Sequence, residues 1–298
     1  MDPLVFVLVA GAAVLHVAWN VLLKTAGDPL RAAVVAMTAA AALIVPGAAL
    51  AWWAGGARPI PGEAVGVAAL SGILEAAYFV FLAAAYRRGD LSVVYPIARG
   101  TAPLLAVFVG VVILGERLGP GGFAGVALLL AGLLMLQQPW RYFRRSTDGR
   151  GWDPAVGFAL ATGVTIALYS AVDRVGARLV EPWLYAGLIW AFGAVFLWAY
   201  ALATGQVARW RAPGTEPFDV PRAAVGGLIT LAAYLLILYA FSVAPLTAVA
   251  PLRESAIVLA SAWGTLRLGE GGSRPEAARR IAASVLVVLG AVLLALDG

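Results

Sequence analysis

The chain has 298 residues, 62% of them hydrophobic and 12% charged, with a mean hydropathy of +0.90 and a net charge of +5. Soluble domains carry roughly 25% charged residues, so this composition excludes an ordinary water-soluble protein and requires contact with lipid. Cysteine is absent and histidine occurs once, which removes disulfide frameworks, thiolate metal sites and most zinc constellations.

Apolar runs of about 20 residues, the length of a bilayer-crossing helix, occur ten times: 3–24, 31–53, 64–86, 91–114, 121–138, 154–174, 183–204, 222–243, 246–267 and 277–296. Short polar punctuation such as RRGD at 87–90 separates several of them, as in tight hairpins between antiparallel spans. The expected fold is an all-α membrane protein of ten transmembrane helices. Met1-Asp2-Pro3 carries no basic leader region, so the first run reads as a true span rather than a removable signal.

Span one places His16, Trp19 and Asn20 at i, i+3 and i+4, on one helical face, and closes on Lys24. An aromatic ring and an amide on a cavity wall can grip an amino acid or an aromatic group. In span three, Ser71, Glu75 and Tyr78 share a face, and Glu75 is a carboxylate in the middle of an apolar segment. Ionisable groups at membrane depth turn toward the bundle interior and mark transport paths, so Glu75 is the candidate proton carrier. The alternative is a structural Glu that joins two helices.

Span four contains no charge except Arg99, three residues after Pro96. Span six offers Tyr169, Ser170 and Asp173 as polar lining; the alternative for Asp173 is a group that snorkels to the interface with Arg174. Span eight adds Tyr234 and Tyr239, and span nine carries Arg253 and Glu254 directly after Pro251. An Arg99–Glu254 or Arg253–Glu75 pair would offset the cost of burying charge and leave a cation for a substrate carboxylate or phosphonate. Pure helix-to-helix pairing is the competing role. Most tryptophans, including Trp52, Trp53 and Trp210, fall at span ends and read as interface anchors. Glu116 and Glu270 close spans four and nine and read as architectural, through capping or pairing with Arg117 and other loop cations.

The longest polar interruption, 137–154, halves the chain, and the halves resemble each other. AAYFVFLAAAYRRGDLSVVYPIARG (76–100) aligns with AAYLLILYAFSVAPLTAVAPLRES (232–255), setting Tyr78 on Tyr234, Pro96 on Pro251 and Arg99 on Glu254. GVVILGE (110–116) aligns with GTLRLGE (264–270), and Trp19-Asn20 and Lys24 align with Tyr169-Ser170 and Arg174. Five crossings per unit leave the second copy inverted, as in alternating-access carriers. The expected units are 1–138 and 154–298, joined by 139–153, around a central cavity.

Two five-span halves, the closing HVAWNVLLK of span one, Ser92-x-x-x-Pro96 in span four and the repeated Gly-Glu together resemble the EamA family of the drug/metabolite transporter superfamily. The resemblance covers nearly the whole chain. It implies a basket of ten helices whose spans 1, 3, 4, 6, 8 and 9 line a path, and export or exchange of a small metabolite, often an amino acid, without ATP. LHVAWNVLLK is also similar to a branch linked with phosphonate use, so a phosphonate-type or broad drug carrier stays open as the alternative.

The chain has no G-x-x-x-x-G-K-[ST] loop, G-x-S-x-G or H-E-x-x-H, so neither an ATPase nor an intramembrane enzyme is expected, and no cofactor is implied. A channel is disfavoured by charges at matched positions of an inverted repeat. The expected partners are a small-molecule substrate, the lipid bilayer and protons through Glu75. The net charge reads as topology rather than nucleic-acid binding. Alternating loops give one side fifteen basic residues, among them Arg31, Arg87 and Arg209, and the other Arg58, Arg117, Arg174 and Arg178. The positive-inside rule then sets both termini outside a plasma (inner) membrane, against the family habit of termini inside. Substrate identity and the choice between monomer and homodimer stay open.

Overall fold

The computed structural model describes residues 2–25, 27–89, 91–138, 154–215, 217–254 and 274–296, with the backbone alone at 17, 20, 21, 23–25, 91–93, 95, 96, 137, 274, 277 and 295. The described residues form helices joined by turns. In chain order these are α1 (Pro3–Thr25), α2 (Pro29–Ala54), α3 (Gly62–Tyr86), α4 (Leu91–Val112), α5 (Pro120–Gln137), α6 (Pro154–Gly176), α7 (Pro182–Ala203), the five-residue α8 (Gln206–Trp210), α9 (Val220–Val243), α10 (Leu246–Glu254) and α11 (Arg274–Leu296).

Five of them, α2, α3, α6, α7 and α9, are long and apolar enough to cross a membrane; Pro3–His16, Ile97–Val112 and Pro120–Leu136 are shorter apolar stretches. The helices fall where the apolar runs place them. The connector 139–153 and the continuation of the ninth run past Glu254, with Glu270, lie outside the described residues. The small α8 was not expected.

Helix starts follow local chemistry. Asp28 caps α2 by accepting the Arg31 N–H at 2.8 Å, with Pro29 at the first helical position, and Asp219 caps α9 through the Arg222 N–H at 2.9 Å. Each cap satisfies a donor that the helix itself cannot reach.

The main packing pairs are α1–α9, α2–α7, α2–α9, α3–α6, α3–α7, α4–α6, α4–α10 and α5–α11. Helices in lipid gain little from apolar burial against one another and rely on close backbone approach through small residues. At the α5–α11 crossing a Cβ on Gly125 would stand 2.8 Å from the Gly290 carbonyl oxygen, and one on Gly290 would stand 2.6 Å from that of Gly125. At the α3–α7 crossing a Cβ on Gly72 would meet Phe192 Cβ at 2.7 Å and the Gly193 nitrogen at 2.8 Å. Large apolar side chains such as Val7, Leu43, Leu50 and Val288 are exposed. They form the greasy outer surface that lipid would cover.

Candidate functional site

The polar side chains converge at the centre. Glu75, Arg99, Ser170, Asp173, Arg253 and Glu254 are all buried, from four different helices. In lipid such groups demand partners, and Arg99, Ser170, Asp173, Arg253 and Glu254 find them in one another and in neighbouring side chains.

Arg99 Nη1 on α4 donates to Glu254 Oε1 on α10 at 2.9 Å. Arg253 Nε reaches the same oxygen at 3.3 Å, and its Nη1 approaches Ser170 Oγ on α6 at 3.4 Å. The Arg253 guanidinium also stands over the Tyr169 ring, 6.0 Å from its centroid. Arg99 Nη2 lies against His16 Nε2, and the indole N–H of Trp19 donates to His16 Nδ1 at 2.9 Å. One carboxylate therefore holds two guanidinium groups, and α1, α4, α6 and α10 are tied through them. Of the two expected ion pairs Arg99–Glu254 is present. Arg253 pairs with Glu254 and not with Glu75.

A second knot centres on Asp173. Its Oδ1 accepts from Ser71 Oγ at 2.5 Å and from Tyr185 OH at 3.2 Å, and its Oδ2 accepts from Tyr234 OH. The alternative that Asp173 snorkels outward fails, because it is fully buried and bridges α3, α6, α7 and α9. The three hydroxyls replace the water it would otherwise need. Arg174, the next residue, points elsewhere. Its Nε donates to Glu116 Oε1 at 3.2 Å, and Glu116 also accepts the backbone N–H groups of Leu246 at 2.8 Å and Thr247 at 2.9 Å. Glu116 thus caps α10, with Arg174 rather than Arg117 as its cation.

Between the two knots lies a cavity of about 50 Å³. Of the expected site residues, His16, Trp19, Glu75, Tyr78, Tyr169, Tyr234 and Arg253 line it. Arg99, Ser170 and Glu254 stand behind that wall and reach it through Arg253 and His16, while the Asn20 side chain lies outside the described residues. The tyrosines form a continuous aromatic wall, with Tyr78–Tyr169 centroids 5.9 Å apart, Tyr169–Tyr234 6.4 Å and Tyr234–Trp190 6.1 Å. Tyr239 does not join it. It is 41% exposed, because five residues beyond Tyr234 is about 140° around a helix.

The sequence reading missed Phe79, Thr230 and Tyr185. Thr230 lies one turn before Tyr234 on the same face, a signal that was legible. Tyr185 gave none, since nothing local marks a tyrosine whose partner is Asp173.

A helical bundle with a buried charged centre defines a membrane-embedded class of protein. Residues 3–137 match the model of the EamA-like transporter family, which is part of the drug/metabolite transporter superfamily. Among curated proteins, the spermidine export protein MdtI of Salmonella paratyphi B, Salmonella newport and Salmonella heidelberg is 39% identical over 72 residues. That match covers 24% of this chain and spans 64% of the relative's length. A crystal structure of a protein 22% identical in sequence superposes with a TM-score of 0.66, covering 99% of this chain and 98% of the other. That likeness is one of fold.

Proposed function

We propose that the chain is a secondary transporter that carries a small metabolite, an amino acid or related zwitterion, across the plasma (inner) membrane by alternating access, in export or exchange and without ATP. The observation that carries this reading is that Glu75 and Arg253 face one central cavity walled by Trp19, Tyr78, Tyr169 and Tyr234. A carboxylate and a guanidinium on one wall match the two ends of a zwitterion, and aromatic faces attract an ammonium group or a ring. Among the described residues Glu75 forms no ion pair, whereas Arg253 is already shared with Glu254. Glu75 is thus the anion that an incoming ammonium group, or a proton, meets first.

About 50 Å³ holds only a few waters, so a metabolite enters when the helices part. Helix pairing supports two inverted five-helix repeats, 1–138 and 154–298. Exchanging α1 with α6, α2 with α7, α3 with α9, α4 with α10 and α5 with α11 turns α3–α6 into α1–α9 and α3–α7 into α2–α9. The pairs α2–α7, α4–α10 and α5–α11 map onto themselves. Arg31, Arg87 and Arg209 meet at one end of the bundle, in keeping with a basic cytoplasmic face and termini outside.

A second reading, export of a polyamine, is favoured by the similarity to the spermidine export protein MdtI. Counterflow into proteoliposomes separates the two. Saturable exchange of an amino acid supports the first, exchange of spermidine alone supports the second, and conduction-like rates would defeat both. In either case Glu75→Gln lowers uptake roughly tenfold, the worth of one charge-assisted contact. It also removes any acceleration by an imposed pH gradient. Equal initial rates in wild type and Glu75→Gln, with and without the gradient, eliminate Glu75 as the ligand and carrier.

A further inference from the structure

A second and larger pocket, about 540 Å³, opens at one end of the bundle, where the α1–α2 turn, the end of α3 and the α7–α9 connection meet. It is far roomier than the central cavity, and its charge is lopsided. Arg31, Arg87 and Arg209 face it, against a single described carboxylate, Asp28.

The pocket is built and not merely basic. Asp28 accepts from Arg87 Nη2 with both oxygens, at 2.8 and 3.2 Å, while its Oδ1 caps α2, so Arg87 is fixed to the helix start. The Arg31 guanidinium stacks on the Phe218 ring, 4.4 Å from its centroid, which holds its hydrogen-bonding edge in place. Neither Arg31 nor Arg209 has an ion pair among the described residues. Planar guanidinium groups with free donors match the paired oxygens of a phosphate, and a fixed fork loses little entropy on binding one.

The position says where such a phosphate comes from. α2 begins at Pro29, α3 ends at Tyr86 and α9 begins at Val220, so the pocket lies where three membrane-length helices leave the apolar layer. Trp210, half-buried on its rim, is the residue type that settles at headgroup depth. Basic pockets between helix ends at that depth suit anionic headgroups.

We propose that this pocket binds a phosphate group, supplied by the diester headgroup of an anionic phospholipid, through Arg31 and Arg209, with Arg87 positioned by Asp28. The site is separate from the central cavity and independent of what the cavity carries.

The test uses the full chain purified in detergent, with native mass spectrometry and thermal unfolding in parallel arms. One arm adds phosphatidylglycerol, one phosphatidylcholine and one inorganic phosphate. Phosphatidylglycerol is expected to remain bound and raise the melting temperature, with its affinity falling roughly tenfold or more in Arg31→Gln/Arg209→Gln. Arg58→Gln, on the loop between α2 and α3, leaves it unchanged. If inorganic phosphate protects as well as the lipid, with the same arginine dependence, the phosphate site stands and the lipid source is overturned. If the double variant, still monodisperse and unfolding cooperatively, binds phosphatidylglycerol as wild type does, the site itself is overturned. Equal retention of phosphatidylcholine and phosphatidylglycerol by wild type overturns it too.

Discussion

Glu254 and Arg99 face each other in one ion pair, yet removing them should have unequal consequences. Both side chains are almost wholly buried, at 3% and 6% exposure, and Glu254 Oε1 receives Arg253 as well. Glu254→Gln leaves two guanidinium groups close together with their shared anion gone. Stranding buried charge in this way costs about 3–5 kcal/mol. Arg99→Gln gives up the contacts with Glu254 and His16 but leaves Glu254 still paired with Arg253, so no charge is stranded and the loss is that of charge-assisted hydrogen bonding, about 1.5–3 kcal/mol. The gap of roughly 1.5–2 kcal/mol corresponds to about tenfold in an equilibrium constant. Denaturant titration from mixed micelles, followed by the fluorescence of the ten tryptophans, reads both variants under one condition. Arg253→Gln, which spares the shorter Arg99–Glu254 contact, should resemble Arg99→Gln. If Arg99→Gln proves as damaging as Glu254→Gln, or more so, the picture of one anion serving two cations is wrong.

Three further outcomes are expected in the same assay. Asp173→Ala strips the hydroxyls of Ser71, Tyr185 and Tyr234 of their acceptor and lowers stability by about 2–4 kcal/mol, near the top of the range for buried polar networks; a change under about 1 kcal/mol would contradict the network. Gly72→Ala, which forces a methyl against Phe192 and Gly193, costs about 1–3 kcal/mol, whereas Gly66→Ala, on the same helix with open space around it, is neutral or gains up to about 1 kcal/mol. Glu116→Ala uncaps Leu246 and Thr247 and releases Arg174, costing about 1–2 kcal/mol and increasing proteolysis near residues 112–120.

Much of the fold was legible because lipid imposes a simple rule: an apolar run long enough to cross must close its own hydrogen bonds as a helix. The runs 64–86 and 154–174 became α3 and α6 with ends shifted by two residues. Arg99 and Glu254 were found by aligning the halves, since charges at matched depths in a repeat have few places to go. The direction of Asp173 stayed open in the sequence because its neighbour Arg174 suggests an interface, while what decides it is Ser71, 102 residues away, and Tyr234, 61 away. Long-range hydroxyl partners leave no trace in local periodicity. Tyr239 is the opposite case, since helical geometry alone turns it from Tyr234's face, and residue type was allowed to outweigh angle.

Asp173 and Arg174 are consecutive residues on one rigid helix, one fastened at the vestibule wall and the other at the rim beside α10. A twist of α6 large enough to loosen the first grip must strain the second. The two grips are therefore joined across a single peptide unit, with no relay of intermediate side chains.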